Sequence, residues 1–251
     1  MNDDPLARGR AFLKDAVRQT IDFSTTDQAR QIPPPPFNKP YPPDAVQVRL
    51  PDRSAWSRIA AVDLVNAIAK RRSRRRYKPD ALHLDELAFL LWATQGIRKV
   101  ATPAVTFRNV PSAGARHALE TYVCALDVDT LEPGVYRYLP REHGLLRVSA
   151  ETGLPARLTE AALGQGFAGQ AAATFVWTAV PYRMEWRYSL AAHKVIALDA
   201  GHVCQNLYLA CEAIGAGTCA IAAYDQDRMD RLLGVDGEDE FAVYLAPVGR
   251  V

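Results

Sequence analysis

Apolar residues recur at Ile59, Val62, Val65 and Ile68. That spacing of three belongs to one face of a helix and predicts a helix over 59–70. Leu84–Gln95 shows the same period, carries Asp85 and Glu86 in its first turn where they suit the helix dipole, and ends at Gly96, a plausible C′ residue. The longest such pattern, 195–214, sets Ile196, Leu198, Val203, Leu207, Leu209, Cys211 and Ile214 among alanines. It is apolar almost all round, which predicts a central buried helix, and Gly215-Ala-Gly217 stops it. Shorter helices are expected at 162–173 and 227–233, with a weaker one around 11–17.

Strand signals lie between these helices. Residues 119–126 read as a strand, and 174–180 is a continuous apolar run of strand length, expected to be buried on both faces. Residues 135–138 pair naturally with 145–148 as a hairpin, with a turn at Glu132-Pro-Gly134 before it. Residues 218–223 read as a short strand or extended loop and 241–248 as the last strand. Helices around a mainly antiparallel sheet define the α+β class. Residues 31–43 hold seven prolines, cannot form helix or sheet interior, and should run extended as an arm laid over the surface or a linker. The expected organisation is an N-terminal helix and proline-rich arm over 1–50, followed by one domain over 51–251.

Composition narrows the function classes. The chain has 251 residues, 49% of them hydrophobic, enough for a sizeable core. With 30 basic and 28 acidic side chains the net charge is only +2, so the basic excess is local and counts against a nucleic-acid binder. The start, Met-Asn-Asp-Asp, is acidic with no apolar core behind it, and no apolar run reaches membrane-spanning length. The expectation is a cytoplasmic chain with no membrane partner. Cys124, Cys204, Cys211 and Cys219 form no C-x-x-C pair, and the five histidines are scattered, so no metal site is expected. Cys204 and Cys211 lie one heptad apart and share a helix face, which suits buried thiols.

Three stretches carry candidate chemistry. Arg71-Arg-Ser-Arg-Arg-Arg-Tyr77 falls at a helix end, ahead of Lys78-Pro79. Guanidinium forks bind phosphate bidentately, and the hydroxyl between them adds a donor; a nucleic-acid face and a solvated helix end compete with that reading. Residues 110–117 offer small residues that let backbone approach a ligand, with Ser112 as a hydroxyl, against the plainer reading of a turn into the next strand. Residues 182–194 mix Arg183, Glu185, Trp186, Arg187, Tyr188, His193 and Lys194, which a core strand would not tolerate; a substrate pocket is expected there.

Four segments occur in order: Arg-Arg-Ser-Arg-Arg-Arg-Tyr (71–77), Pro-Ser-Ala-Gly-Ala-Arg-His (111–117), Asp-Ala-Gly-His-Val-Cys-Gln-Asn-Leu (199–207) and Gly-Ala-Gly-Thr-Cys-Ala-Ile-Ala-Ala-Tyr (215–224). Together they resemble the nitroreductase superfamily, specifically its SagB-type dehydrogenase branch, over about 60–250. The resemblance implies an FMN flavoprotein, a homodimer with flavin at the subunit interface, performing two-electron hydride transfer on a small-molecule or peptide substrate, with NAD(P)H as electron donor in the reductive direction. It implies that Arg71, Ser73 and Arg75 hold the FMN phosphate and ribityl chain, leaving Arg72, Arg74 and Arg76 solvated or ion-paired. It places Pro111, Ser112, Ala113 and Gly114 beside the isoalloxazine, from the second subunit. The backbone amides of Ala220, Ile221, Ala222 and Ala223 are expected at flavin N5 and O4, and Arg250 at the phosphate.

The chain departs from the branch around 187–193. Azoline dehydrogenases carry a Lys-Tyr pair before the long helix, where this chain has Arg187-Tyr188. The arginine and tyrosine that usually follow that pair are also altered, to Ala191 and His193. Arginine does not act as a base, which puts peptide thiazoline oxidation in doubt and leaves Tyr188 or His193 for proton transfer. The competing readings are a nitro or quinone reductase, a flavin-poor scaffold subunit of a peptide-modifying complex, and a nucleic-acid binder acting through 71–76.

Overall fold

The computed structural model describes residues 4–102, 104–150 and 152–251. Helix α1 (Pro5–Leu13) starts at the Asp4 cap, whose carboxylate accepts the Leu6 amide, with proline in its first turn. The helix thus lies ahead of the expected 11–17, and 3-10 turns follow at Ala16–Thr20 and Phe23–Thr25. The proline stretch runs extended to strand β1 (Gln47–Arg49).

Helix α2 (Leu64–Lys70) is shorter than the apolar spacing suggests. The Asp63 side chain accepts the Asn66 amide and fixes the start, so 59–62 stay outside the helix. Ala67 is its one buried residue; Val62, Leu64, Val65 and Ile68 are all exposed. The periodic face exists, but beyond Ile59, which packs against the core, its residues stay exposed among the described residues. Helix α3 spans Leu84–Gln95 as expected. Gly96 follows with ordinary negative φ, and is small because a Cβ there would meet the Trp92 ring and carbonyl, each at 2.6 Å.

Strands β2 (Ile97–Thr102) and β3 (Val105–Arg108) form a separate antiparallel pair. Then come β4 (Leu119–Ala125), β5 (Gly134–Leu139), β6 (Gly144–Ser149), α4 (Leu154–Ala161), β7 (Ala173–Ala179), α5 (Tyr182–Tyr188), α6 (Ala192–Glu212), β8 (Ala216–Thr218), α7 (Gln226–Leu233) and β9 (Phe241–Arg250). Within the expected 162–173 helix the backbone makes only a 3-10 turn at Gly166–Ala168; the helix lies earlier, as α4. Glycines 164, 166 and 169 break the alanine run, and a Cβ on Gly169 would strike the Pro155 carbonyl of α4.

The main sheet has seven antiparallel strands in the order β1-β6-β5-β4-β7-β9-β8. Strands β4 and β7 are buried on both faces, and their alternate residues feed two cores. Leu119, Val123, Phe175 and Trp177 pack with α3 and α6 on one face, while Tyr122, Cys124 and Val176 pack with α4 and α7 on the other. Burying large aliphatic and aromatic side chains on both faces supplies the main drive for folding. Helix α6 buries Ile196, Ala200, Val203, Leu207 and Cys211, yet leaves Leu198 55% exposed. It is one-sided, not buried all round.

The proline stretch is fastened to the second face. Arg137 Nη2 donates to the Lys39 and Pro40 carbonyls at 3.1 and 3.2 Å, Arg108 Nη2 donates to the Phe37 carbonyl at 3.3 Å, and Lys39 pairs with buried Glu240. Glu240 also accepts from the Tyr122 and Thr178 hydroxyls at 2.9 and 2.6 Å.

Candidate functional site: a groove along the long helix

The basic stretch leaves α2 and runs beside β8. Arg74 N donates to the Thr218 carbonyl at 2.8 Å, and Ser73 forms a parallel bridge with Thr218. The approach is close enough that a Cβ on Gly217 would collide with the Arg74 stem. Ser73 Oγ lies 3.0 Å from Tyr208 Oη on α6, and the same phenol oxygen accepts the Ala220 amide at 2.9 Å. Arg71 stacks over the Tyr208 ring with 5.2 Å from Cζ to centroid, and Arg75 lies 5.9 Å from the Phe167 ring centroid. Among the described residues neither guanidinium forms an ion pair. Thr218 Oγ1 is buried nearby with no hydrogen-bond partner. One short helix end thus gathers two uncompensated arginines, two hydroxyl groups and an orphaned hydroxyl.

A cavity of about 470 Å³ lies along α6, lined by His193, Ile196, Ala197, Ala200 and Gly201 on one side. Ala222 and the β9 residues Phe241, Val243 and Tyr244 lie opposite, with Phe12 of α1 at the wall. Ala197, Gly201 and Tyr208 recur at helical spacing, so the cavity and the Ser73 junction share a face of α6. At 1.5 Å per residue, His193 and Tyr208 are about 22 Å apart along the axis. A Cβ added to Gly201 would meet nothing within 4 Å. Burial pushes the Tyr244 phenol up to about 12, so it stays neutral and hydrogen-bonds Cys204.

The amides expected to face a ring are only half available. The Ala220 amide is held by Tyr208, and the Ile221 amide donates to the Leu245 carbonyl at 2.8 Å. Ala222 and Ala223 are exposed and keep theirs free among the described residues. Arg250 is also elsewhere than expected: its Nη2 lies 2.6 Å from buried Glu86 and its Nη1 donates to the Ile214 carbonyl at 2.5 Å. The Glu86 carboxylate caps α3 through the His83 amide at 2.9 Å, so Arg250 joins the chain terminus to that helix instead of reaching Arg71.

The loop with Pro111, Ser112, Ala113 and Gly114 packs on the other side of α6. Asp199 faces the Ser112 hydroxyl and the Ala113 amide; desolvation raises its pKa, and those two donors oppose the rise. Its second oxygen, Oδ2, is buried without a partner. Gly114 has φ +57, and a Cβ there would sit 2.5 Å from Tyr188 Oη and 3.2 Å from Arg187 Nη1, so only glycine fits. Asp199 lies two residues from both Ala197 and Gly201, about 200° round the helix. A single chain therefore sets this loop, with Arg187 and Tyr188, on one side of α6 and the cavity with His193 and Ala222 on the other. His193 Nε2 is 2.7 Å from Glu185 Oε1 on α5.

Tyr208, Thr218 and Glu185 complete these clusters; Glu185 belongs to the 182–194 stretch where a pocket is expected, while Tyr208 and Thr218 were not singled out by sequence reasoning. The available signal was a tyrosine on the stripe of Ala197 and Gly201, at a position where α6 is otherwise apolar.

A two-faced antiparallel sheet, a long helix beside it and an arginine-rich stretch meeting a Gly-Ala-Gly-Thr turn define a class of redox fold. The chain belongs to the nitroreductase family, whose model matches residues 68–250; its members are oxidoreductases, flavin-dependent in general. It is 34% identical over 207 residues to MJ1384 of Methanocaldococcus jannaschii, named as a nitroreductase, covering 82% of this chain and 98% of that one. It is 30% identical over 181 residues to the trifolitoxin-processing protein TfxB of Rhizobium leguminosarum bv. trifolii, covering 68% of this chain and 48% of TfxB, so it spans about half of that relative. Among solved structures, a nitroreductase-family protein of Ralstonia eutropha superposes with a TM-score of 0.67 at 25% identity, over 87% of this chain and 98% of that one. The expected fold, an antiparallel sheet flanked by helices, is the one found. Among the described residues no helix is long and apolar enough to cross a membrane.

Proposed function

We propose that the chain is an FMN-dependent oxidoreductase of the SagB-type branch, acting as a homodimer on an uncharged small molecule or peptide segment, with NAD(P)H as donor when it runs reductively. The observation that carries this is that the Arg71–Ser73–Tyr208–Ala220 junction and the apolar cavity lie along the same face of α6, with Ala222 of the cavity wall two residues from Ala220.

The residues fit the cofactor at both ends. Arg71 and Arg75, unpaired and planar, would neutralise its phosphate dianion, with Ser73 and the orphaned Thr218 hydroxyl as further partners. Ala197, Ala200, Gly201 and Ala222 leave the space a flat ring needs. Bound FMN would supply two-electron hydride chemistry there. The free amides of Ala222 and Ala223 would meet negative charge as it develops. Arg250, being ion-paired, has no part in this assignment.

The homodimer reading rests on two features. The loop at 111–114 cannot reach the cavity of its own chain, because α6, about 10 Å thick, lies between them. The apolar face of α2 and the β2–β3 pair, with Val65, Ile68, Val100 and Phe107 exposed, offers surface for a second copy that would bring its loop and its Tyr188 and Arg187 to the groove. The name of TfxB, a trifolitoxin-processing protein, supports a processing role; that of MJ1384 supports the reductase alternative.

The test is the visible spectrum of the purified protein, followed by heat release of any chromophore. Flavin bands with FMN near one per chain are expected. A colourless protein that takes up no added FMN overturns the reading and leaves the scaffold alternative.

A further inference from the structure

His193 is the only side chain of the cavity wall, apart from the neutral Tyr244 phenol, that can exchange a proton; the other lining groups are hydrocarbon or glycine. Its Nε2 is held 2.7 Å from Glu185 Oε1, on the helix before α6. A carboxylate accepts and cannot donate when ionised. The neutral imidazole therefore carries its hydrogen on Nε2 and leaves Nδ1 bare. Two helices meet here through the bend at Ser189, so the pair joins elements fixed by burial of Met184 and Trp186 on α5 and of Ile196 on α6. Lys194, which faces Asp15, and Tyr244 across the cavity are the other titratable groups around it.

We infer that Glu185 is the positioning residue of a proton-handling pair, fixing the His193 tautomer so that Nδ1 passes a proton to or from the occupant of the cavity. The inference rests on the oxidoreductase reading. Reduction of a conjugated carbonyl to its hydroxy form takes up two electrons and two protons. Hydride from a reduced flavin brings both electrons and one proton. The second proton leaves the His193 imidazolium, which regains one from water. In the dehydrogenating direction the same imidazole, neutral, takes that proton. Arg187 cannot do this, and Tyr188 would reach the groove only from the second copy, whereas His193 lines the cavity of its own chain.

Two measurements test it. In protein labelled with ¹⁵N-histidine, the resonance lost in His193→Gln should show Nε2 protonated and Nδ1 bare in the neutral form, and Glu185→Gln should mix the tautomers. In FMN-loaded protein reduced with dithionite and mixed with menadione, reoxidation per FMN should slow about tenfold in Glu185→Gln and in His193→Gln. The wild-type rate should fall with rising pH, and the His193→Gln rate should not. Glu185→Asp, which keeps the charge but withdraws the oxygen, should resemble Glu185→Gln. An Nδ1-protonated wild type overturns the proposal, as does reoxidation within twofold of wild type in Glu185→Gln once the tautomers have mixed. Protein that binds no FMN overturns the oxidoreductase reading and the proton role with it. FMN that binds and is reoxidised at an unchanged rate overturns the present inference alone.

Discussion

Ser73 and Tyr208 face one another oxygen to oxygen at 3.0 Å, although 135 residues separate them in the chain. The contact ties the arginine-bearing stretch to the long helix, and through Ala220 to the loop that follows β8. Tyr208→Phe removes both bonds. At about 1 kcal/mol each, FMN should bind roughly thirtyfold more weakly. Arg71→Ala should cost more, since it removes both a charge and the stack on the ring. Fluorescence titration of stripped protein with FMN reads both, with circular dichroism to show that the fold persists.

Gly201 marks the cavity wall. A side chain there meets open space, so Gly201→Leu should fold with an unchanged far-ultraviolet spectrum while filling the place of a ring. Loss of FMN uptake with retained melting temperature is the expected pair of results; retained uptake would put the ring elsewhere.

Arg250 is predicted to act on stability. Arg250→Gln strands the Glu86 carboxylate, which is 2% exposed at the start of α3. Leaving a buried charge without its partner costs ~3 kcal/mol. At this chain length that is a fall in melting temperature of roughly 5–12 °C. FMN affinity measured well below the transition should stay within twofold.

His117 gives stability an acid limb. Burial, with Arg108 next in effect, lowers its pKa from 6.5 to about 3, and its ring nitrogen shares a hydrogen bond with the Thr106 carbonyl. The unfolded imidazole takes a proton below pH 6.5 and the folded one only near 3. Its contribution is therefore complete above pH 6.5 and declines as pH falls towards 3, at no more than about 1.4 kcal/mol per pH unit. Urea unfolding across that range should show a shallower decline in His117→Gln.

The proline stretch should release when its lysine goes. Lys39→Met leaves Glu240 buried with only neutral donors, and limited proteolysis between 31 and 43 should speed up several-fold. An unchanged cleavage rate would show that Arg137 and Arg108 suffice to hold it.

The sequence was most legible where burial is complete. Strand β7 and helix α3 declare themselves by an unbroken apolar run and a clean period, and both lie where expected. Helix α4 was missed because Gly153-Leu-Pro155 reads as a turn, although proline suits the first turn of a helix. The 59–70 pattern gave a helix but neither its length nor its buried side, since a cap at Asp63, a local bond, fixes the start and Ala67 is the residue that packs inward. At the site, the basic stretch and the small-residue loops were visible because their composition is unusual. Tyr208 and Thr218 were not, because each acts through a partner distant in the chain, and spacing carries no record of such pairs; Glu185 and His193, eight residues apart, lay inside a stretch already marked. Arg250 shows the converse: a motif position whose side chain is claimed by a carboxylate that no motif mentions.

Both borders of the seven-stranded sheet are three-residue strands, β1 and β8. Beyond β8 lies the bridge from Ser73, so the segment that gathers the arginines also caps the sheet and keeps it from gaining a further strand. A blunted border of this kind resists edge-to-edge stacking. The same few residues that would receive a phosphate thus also guard this border against fibril-like growth.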